Sequence, residues 1–190
     1  SPMTSEPRSR GGAMPGGEQV QSDQPLTEAD QAAGQFVSVT LADTEVIWAD
    51  VFQRELGQTY NPTTLVLFKG ATQSACGGAS GATGPFYCPN DRKVYLDTSF
   101  FNLMSQQMGA RGDFAAAYVV AHEVGHHVQQ QLGITQQVDG MRGRVSEAQM
   151  NALSVRVELM ADCLAGVWAN NSQKANGWRL EDGDIEEALN

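Results

Sequence analysis

The chain of 190 residues is long enough for one domain with flexible ends, and its 41% content of hydrophobic residues can supply a core. Its formal net charge of −10 argues against nucleic acid as a partner, because the phosphate backbone would repel it. No apolar stretch reaches the about 18 residues that are typical of a transmembrane helix.

The first part of the chain combines a polar terminus with two helical segments. Residues 1–25 are rich in Gly, Pro, Ser and Gln, which predicts a disordered linker or a cloning remnant. Thr27 opens a predicted helix that runs towards Val39. A second helix is predicted over residues 43–56, where apolar residues recur at helical spacing before Gly57. We therefore expect the folded domain to cover residues 26–190.

The middle of the chain predicts two strands followed by two helices. Residues 63–68 and 93–97 are rich in β-branched and aromatic residues, as strands are. Ser99 can cap a short helix that ends near Met108, and a longer helix follows, with Gly133 as its C-cap. This order predicts an α+β fold, mostly helical, with a small antiparallel sheet beside the long helix.

The long predicted helix carries the sequence HEVGH at residues 122–126, a match to HExxH. Residues i and i+4 lie one turn apart on one helix face, so His122 and His126 can bind a single metal ion. Glu123 can then contact a water on that ion, whose pKa zinc would lower to about 7. Because HExxH fixes only three positions, the helical context and a third ligand must distinguish a real site from a chance match.

A second helix, predicted from Ser146 to Trp168, offers that third ligand. Ser146 and Gln149 fit a capping box at its start. Glu158 and Asp162 lie four residues apart within an apolar run. Two solvated carboxylates are the ordinary interpretation, but an acid in so apolar a run needs a partner, and zinc would supply one.

These residues allow two ligand sets for a catalytic zinc, which commonly has three protein ligands and one open position for water. In the first, His122, His126 and Glu158 bind the ion, and Asp162 accepts the outer N–H of a histidine, preferably His122. In the second, Asp162 binds zinc and Glu158 supports. The longer side chain of Glu158 favours the first set.

Four segments of the chain resemble the bacterial neutral zinc metallopeptidase family: AHEVGHHVQQQLGI, VELMADCLAGVWA, ACGGASGATGPFYCP and KVYLDTSFF. The resemblance extends over about residues 70–168. It implies a zincin-like fold with a gluzincin-like site formed by His122, Glu123, His126 and Glu158, and one Zn²⁺ per chain. The implied activity is that of a zinc-dependent endopeptidase acting on a peptide or protein substrate.

Proteins of that family carry an N-terminal membrane segment and further C-terminal sequence. The resemblance therefore implies an extracytoplasmic bacterial protein, membrane-anchored or secreted, that contacts the membrane only through an N-terminal anchor outside this chain. Residues 184–189 resemble the start of a helix, so we expect the domain to continue beyond Asn190. The oligomeric state is left open.

Two of the three cysteines, Cys76 and Cys88, bracket a Gly-rich loop with few apolar anchors. We predict a disulfide between them, which would stabilise the fold by about 3 kcal/mol in the chain-entropy model. Two free thiols and a second zinc site are the alternatives. Cys163, in the second helix, is expected to be a small buried hydrophobic residue.

A peptidase site also needs a group that stabilises the oxyanion opposite Glu123. Tyr118, one turn before His122, and Tyr95 are the candidates, with Tyr87 as a further alternative. His127 points about 100° away from His126 on the helix. A buried tyrosine with a satisfied hydroxyl is the commoner situation for each of them.

The strand over residues 94–97 is a candidate for the edge strand that aligns an extended peptide by β-augmentation, and a core strand is the equal alternative. Two functional classes follow from the whole sequence. One is a zinc-dependent endopeptidase, and the other is a metal-binding, catalytically vestigial protein-interaction domain. The intact Glu123 favours the endopeptidase, since a binding module needs no general base.

Overall fold

The computed structural model describes residues 13–14, 18–21, 25–80 and 84–176. Its helices are α1 Glu28–Val51, α2 Thr98–Met108, α3 Ala110–Gln131, α4 Ile134–Asp139 and α5 Glu147–Asn176. Its strands are β1 Ala13–Met14, β2 Glu18–Gln21, β3 Thr64–Phe68, β4 Ala71–Ser74, β5 Gly77–Ser80, β6 Phe86–Cys88 and β7 Lys93–Asp97. Within this part of the chain, no helix is both long and apolar enough to cross a bilayer.

Two predictions fall wholly or partly outside the described residues. Of the linker predicted over residues 1–25, the structure describes mainly the short strands β1 and β2, so the linker stays a prediction. The predicted helix start at residues 184–189 lies outside the described residues.

A single helix, α1, occupies the region for which two helices were predicted. The prediction of two separate helices was therefore wrong. Its start is the predicted one: the Thr27 N–H donates to Asp30 Oδ2 (2.9 Å) and the Asp30 N–H donates to Thr27 Oγ1 (3.1 Å). The helix continues through the polar residues near its middle because Val37, Leu41 and Trp48 are buried along one side of it. The Thr40 and Thr44 hydroxyls are satisfied by carbonyls of the same helix. A π-helical turn, Phe52–Leu56, then ends at Gly57, whose φ of 60° favours glycine.

The larger sheet has the strand order β1-β2-β3-β7-β6. Strand β3 pairs in parallel with β2 and β7, whereas β6 pairs antiparallel with β7. The prediction of a mostly helical α+β chain is confirmed, but the sheet is mixed rather than antiparallel. The reason is the connection from β3 to β7, which passes through a separate β4–β5 hairpin before it returns to the sheet.

Strand β7 lies inside the sheet, between β3 and β6. The expectation that residues 94–97 form an edge strand was therefore wrong, and the alternative of a core strand is confirmed. The edge strand on this side is β6, and it lies beside α3. The sequence did not predict β6 because it has only three residues, which are followed by Pro89.

Side chains alternate between the two faces of the sheet along β3 and β7, so the core consists of one hydrophobic cluster on each face. Leu65, Leu67, Val94 and Leu96 face the helices and pack with residues of α1 and α3. The intervening Val66, Phe68 and Tyr95 face the opposite side and pack with Ala79 of the β4–β5 hairpin. Helices and hairpin thus cover opposite faces of the sheet.

Helices α3 and α5 pack closely where Gly125 meets Ala161. A Cβ atom on Gly125 would lie 3.1 Å from the Ala161 carbonyl oxygen, tighter than an ordinary contact. Helix α5 begins at the predicted capping box, in which the Ser146 N–H donates to Gln149 Oε1 and the Gln149 N–H donates to Ser146 Oγ. The close approach brings the carboxylates of α5 over the histidines of α3.

The predicted disulfide between Cys76 and Cys88 is present. It joins the turn between β4 and β5 to the end of β6. The expectation that Cys163 is buried was wrong, since this thiol is exposed. Helix α5 contacts the domain mainly through Ala161, Ala165 and Trp168, and Cys163 lies away from that face.

Candidate metal centre

Three side chains from two helices meet at one point: His122 and His126 of α3, and Glu158 of α5. One ligand atom from each lies within 4.8 Å of the others. Glu158 Oε2 is 3.0 Å from His122 Nε2 and 3.3 Å from His126 Nε2. Ligand atoms lie about 3.3 Å apart around a tetrahedral zinc with bonds of about 2.0–2.1 Å, so both distances fit such an ion.

The outer nitrogen of His122 is held by α5. His122 Nδ1 lies 2.6 Å from Asp162 Oδ1, and an ionised carboxylate can only accept a hydrogen bond. Nδ1 therefore carries a proton, and Nε2 is the nitrogen that is directed at the cluster. Asp162 contacts the outer nitrogen while Glu158 contacts both inner ones, an arrangement that corresponds to the first of the two predicted ligand sets.

The outer nitrogen of His126 is held by a residue that the sequence did not single out. His126 Nδ1 lies 2.9 Å from Gln129 Oε1, and Gln129 Nε2 donates to the Val157 carbonyl oxygen of α5 over 2.9 Å. The signal was present in the spacing, since Gln129 is three residues after His126 and seven after His122, on the same helix face.

Glu158 itself is exposed, with 60% of its side chain accessible. The apolar residues near it in sequence, including Val155, Leu159 and Met160, are exposed as well. The premise that Glu158 is embedded in a buried apolar run was therefore wrong. Geometry instead assigns Glu158 to the cluster, because one of its carboxylate oxygens contacts both imidazoles.

Glu123 lies in the opposite environment from Glu158. It is buried, with 8% exposure, and burial followed by the nearby charge of Glu158 raises the pKa of its carboxyl to about 8. The backbone amide of Tyr87 in β6 acts in the opposite direction and lowers this pKa. Helix α3 thus carries a buried acid next to the first histidine, on the side where the helix contacts β6.

The tyrosine hydroxyls proposed for the oxyanion are bound elsewhere. The Tyr118 hydroxyl donates to the Asp162 carbonyl oxygen (2.8 Å), which links α3 to α5. The Tyr95 hydroxyl donates to Asp91 Oδ2 (2.5 Å) on the face of the sheet opposite the helices. Tyr87 contacts His127 Nδ1 and Gln130 through its hydroxyl. The structure brings none of the three hydroxyls to the cluster.

The third histidine, His127, faces away from the cluster. Its Nε2 lies 2.7 Å from the Asn61 carbonyl oxygen, and burial lowers the pKa of its imidazole. A carbonyl oxygen can only accept, so Nε2 carries a proton. His127 thus serves the packing of α3 against Tyr60 and Tyr87.

The donor set is that of a zinc site: two imidazoles, one carboxylate, and a hydrogen-bond partner on the outer nitrogen of each histidine. With a buried acid next to the first histidine, this set makes the cluster a candidate metal centre. A family model described as "putative neutral zinc metallopeptidase" matches residues 6–190. The chain belongs to this family.

Relatives of the chain occur in distant bacteria. It is 47% identical over 172 residues to YpfJ of Escherichia coli K12, a match that covers 90% of this chain and 59% of YpfJ. It is 37% identical over 207 residues to Rv2575 of Mycobacterium tuberculosis H37Rv, covering 94% of this chain and 66% of that protein. Both are named as uncharacterized proteins, and the chain spans less than two thirds of their length. No solved structure matches it.

Proposed function

We propose that the chain is a zinc-dependent endopeptidase in which His122, His126 and Glu158 hold one Zn²⁺ and Glu123 is the general base. The observation that carries this proposal is the position of Glu123. A domain that only binds metal gains nothing from a carboxyl that is buried beside the cluster at a cost in solvation. A hydrolase needs such a group next to its metal.

The proposed mechanism divides the work between the ion and the side chains. Bound zinc would supply a Lewis acid that makes a water nucleophilic near neutral pH. Glu123 would accept the proton of the attacking water and return it to the leaving amine. Asp162 and Gln129 would keep both Nε2 atoms directed at the metal.

We propose β6 as the strand that aligns the substrate. Among the described residues, β6 pairs with β7 along one edge and with no strand along the other, and it contacts α3. A peptide added there as a further strand would lie alongside the HExxH helix, with its main chain held by backbone hydrogen bonds.

We further propose an extracytoplasmic location. The support is the disulfide between Cys76 and Cys88, since such bonds persist in oxidising compartments and are rare in the cytosol. Attachment to a membrane through an N-terminal anchor stays a prediction from the family resemblance.

Removal and restoration of the metal test this proposal. The zinc-depleted chain should cleave no member of a diverse peptide library, and one equivalent of Zn²⁺ should restore cleavage. The double variant His122→Ala, His126→Ala, treated in the same way, is the control and should recover neither zinc nor activity. A zinc-loaded wild type that cleaves nothing would favour the catalytically vestigial interaction domain instead.

A further inference from the structure

Gln129 is a fully buried polar side chain at the crossing of α3 and α5, with 0% exposure. Its amide contacts two groups only among those described here: His126 Nδ1 at 2.9 Å and the Val157 carbonyl oxygen at 2.9 Å. A buried amide must satisfy its donors and acceptors or lose stability. Both contacts therefore constrain how the amide and the imidazole are oriented and protonated.

The Val157 carbonyl determines the orientation of the Gln129 amide. A carbonyl oxygen accepts and never donates, so the NH₂ group must face Val157. The reverse orientation would place two acceptor oxygens 2.9 Å apart in a buried site, which is repulsive. The amide oxygen must then face His126.

The amide oxygen in turn determines the tautomer of His126. An oxygen 2.9 Å from Nδ1 requires a proton on Nδ1, because two lone pairs would otherwise face each other. A neutral imidazole with its proton on Nδ1 has its lone pair on Nε2. This is the nitrogen that lies 3.3 Å from Glu158 Oε2 in the cluster.

We propose that Gln129 is a positioning residue that locks His126 in the metal-binding tautomer, and that it does so by means of the α5 backbone. This inference rests on the proposed zinc site. Val157 directly precedes Glu158, so one amide sets both the tautomer of a histidine on α3 and the position of the carboxylate ligand on α5. The Nε2 lone pair is thereby available before the metal arrives, which lowers the cost of binding.

The two histidines are thus held by different chemistry. His122 donates to the carboxylate of Asp162, whereas His126 donates to a neutral amide. A neutral partner suits a site with 0% exposure, where a second buried charge would be costly to desolvate. The difference also makes the contribution of Gln129 separable from that of Asp162.

Nitrogen NMR of the imidazole rings in the zinc-free protein at alkaline pH tests the lock without any metal. In the wild type, His126 should carry its proton on Nδ1. In Gln129→Leu, the Nε2–H form should become populated, while His122 keeps its Nδ1–H form as an internal control. Gln129→Glu keeps an oxygen that accepts from Nδ1 but loses the NH₂ group that donates to Val157, so it should keep the Nδ1–H form of His126 while losing the bond to α5.

Zinc affinity, measured by competition with a chelator, is the second readout. Gln129→Leu should weaken zinc binding by about 10–100-fold, the usual effect of removing such a partner. Gln129→Glu should lie closer to the wild type. Gln131→Leu, which removes a Gln two residues away that contacts only Asn61 in the part of the chain described, is the matched control and should leave affinity unchanged.

The outcomes separate this inference from the proposed function. An Nε2–H tautomer of His126 in the wild type would overturn the lock, whatever the zinc affinity. A Gln129→Leu variant that keeps both the wild-type tautomer of His126 and the wild-type zinc affinity would also overturn the lock. If the wild type failed to bind zinc but showed the Nδ1–H tautomer with rescue by Gln129→Glu, the zinc site would be refuted and the lock itself retained.

Discussion

Glu123 is buried next to the exposed Glu158, and burial together with the charge of Glu158 raises the pKa of the Glu123 carboxyl to about 8. The backbone amide of Tyr87 in β6 acts against this rise. The same strand ends at Cys88, whose disulfide joins it to the β4–β5 hairpin, so the surroundings of the proposed general base include a strand and a disulfide as well as its own helix.

The two carboxylates of α5 at the cluster should differ in their effect on zinc binding. Glu158→Ala removes a proposed ligand and should abolish tight binding, whereas Asp162→Ala removes the partner of His122 Nδ1 and should weaken binding by about 10–100-fold. Chelator competition measures both, and Glu147→Ala at the start of α5 is the control. The opposite order would favour Asp162 as the ligand.

Loss of the disulfide should affect both stability and turnover. Cys76→Ser with Cys88→Ser should lower the free energy of unfolding by about 2–5 kcal/mol and reduce cleavage, because β6, which contacts the helix of Glu123, would be held less firmly. Zinc content should stay near one per chain, since the ligands lie on α3 and α5. Denaturant titration measures the free energy of unfolding, a peptide-cleavage assay measures turnover, and metal analysis measures the zinc content. Cys163→Ser, at the exposed thiol, should change neither.

The contact between Gly125 and Ala161 should be sensitive to a single methyl group. Gly125→Ala places a Cβ 3.1 Å from the Ala161 carbonyl oxygen, so α5 must move by a few tenths of an ångström. Ala favours the helix by about 1 kcal/mol over Gly, so helical content should persist while zinc affinity falls by about tenfold or more.

Gly166→Ala is the control for that variant. Among the residues that the structure describes, its Cβ would meet only the Tyr118 hydroxyl, at 4.0 Å, so both fold and affinity should stay at the wild-type level. Circular dichroism measures the helical content of the two variants, and chelator competition measures their zinc affinity. Equal affinities for the two variants would show that the helix crossing does not position Glu158.

Acid should remove the stabilisation provided by Asp30. Its carboxylate accepts from Lys69 Nζ (2.8 Å) and from the Thr27 N–H, and these bonds hold its pKa well below the ordinary value. Since the folded pKa is lower than the unfolded one, the stabilisation is complete above about pH 4 and is lost as pH falls through the folded pKa.

Unfolding of Asp30→Asn across pH measures this contribution. At neutral pH the variant should be less stable by about 2 kcal/mol, and the difference from wild type should shrink below about pH 4. Glu28→Gln, at an exposed acid two residues earlier, should show a much smaller difference. A difference for Asp30→Asn that is independent of pH would contradict the ionic origin.

Relations that are local along the chain could be predicted from the sequence. The i, i+4 spacing of His122 and His126, the capping boxes at Thr27 and Ser146, and the glycine after α3 depend on residues within a few positions of each other. Because each is determined by helix geometry, the sequence alone is sufficient to place it.

Relations set by long-range packing could not be predicted. The continuity of α1 depends on the burial of Val37, Leu41 and Trp48 against the rest of the core, and the edge position of β6 depends on its pairing with β7. The position of Gln129 is local, but its role is not, because the Val157 carbonyl that orients its amide lies on another helix. Spacing along one helix cannot reveal a partner on a second helix.

The most direct test of the proposed mechanism compares peptide cleavage by the wild type and Glu123→Gln at equal zinc content. The variant keeps the size of the side chain but cannot accept the proton of the attacking water. It should bind one zinc per chain and lose at least about 10²–10⁴-fold in kcat/KM, the usual contribution of general acid–base catalysis. Cleavage at the wild-type rate by the zinc-loaded variant would contradict the role of Glu123.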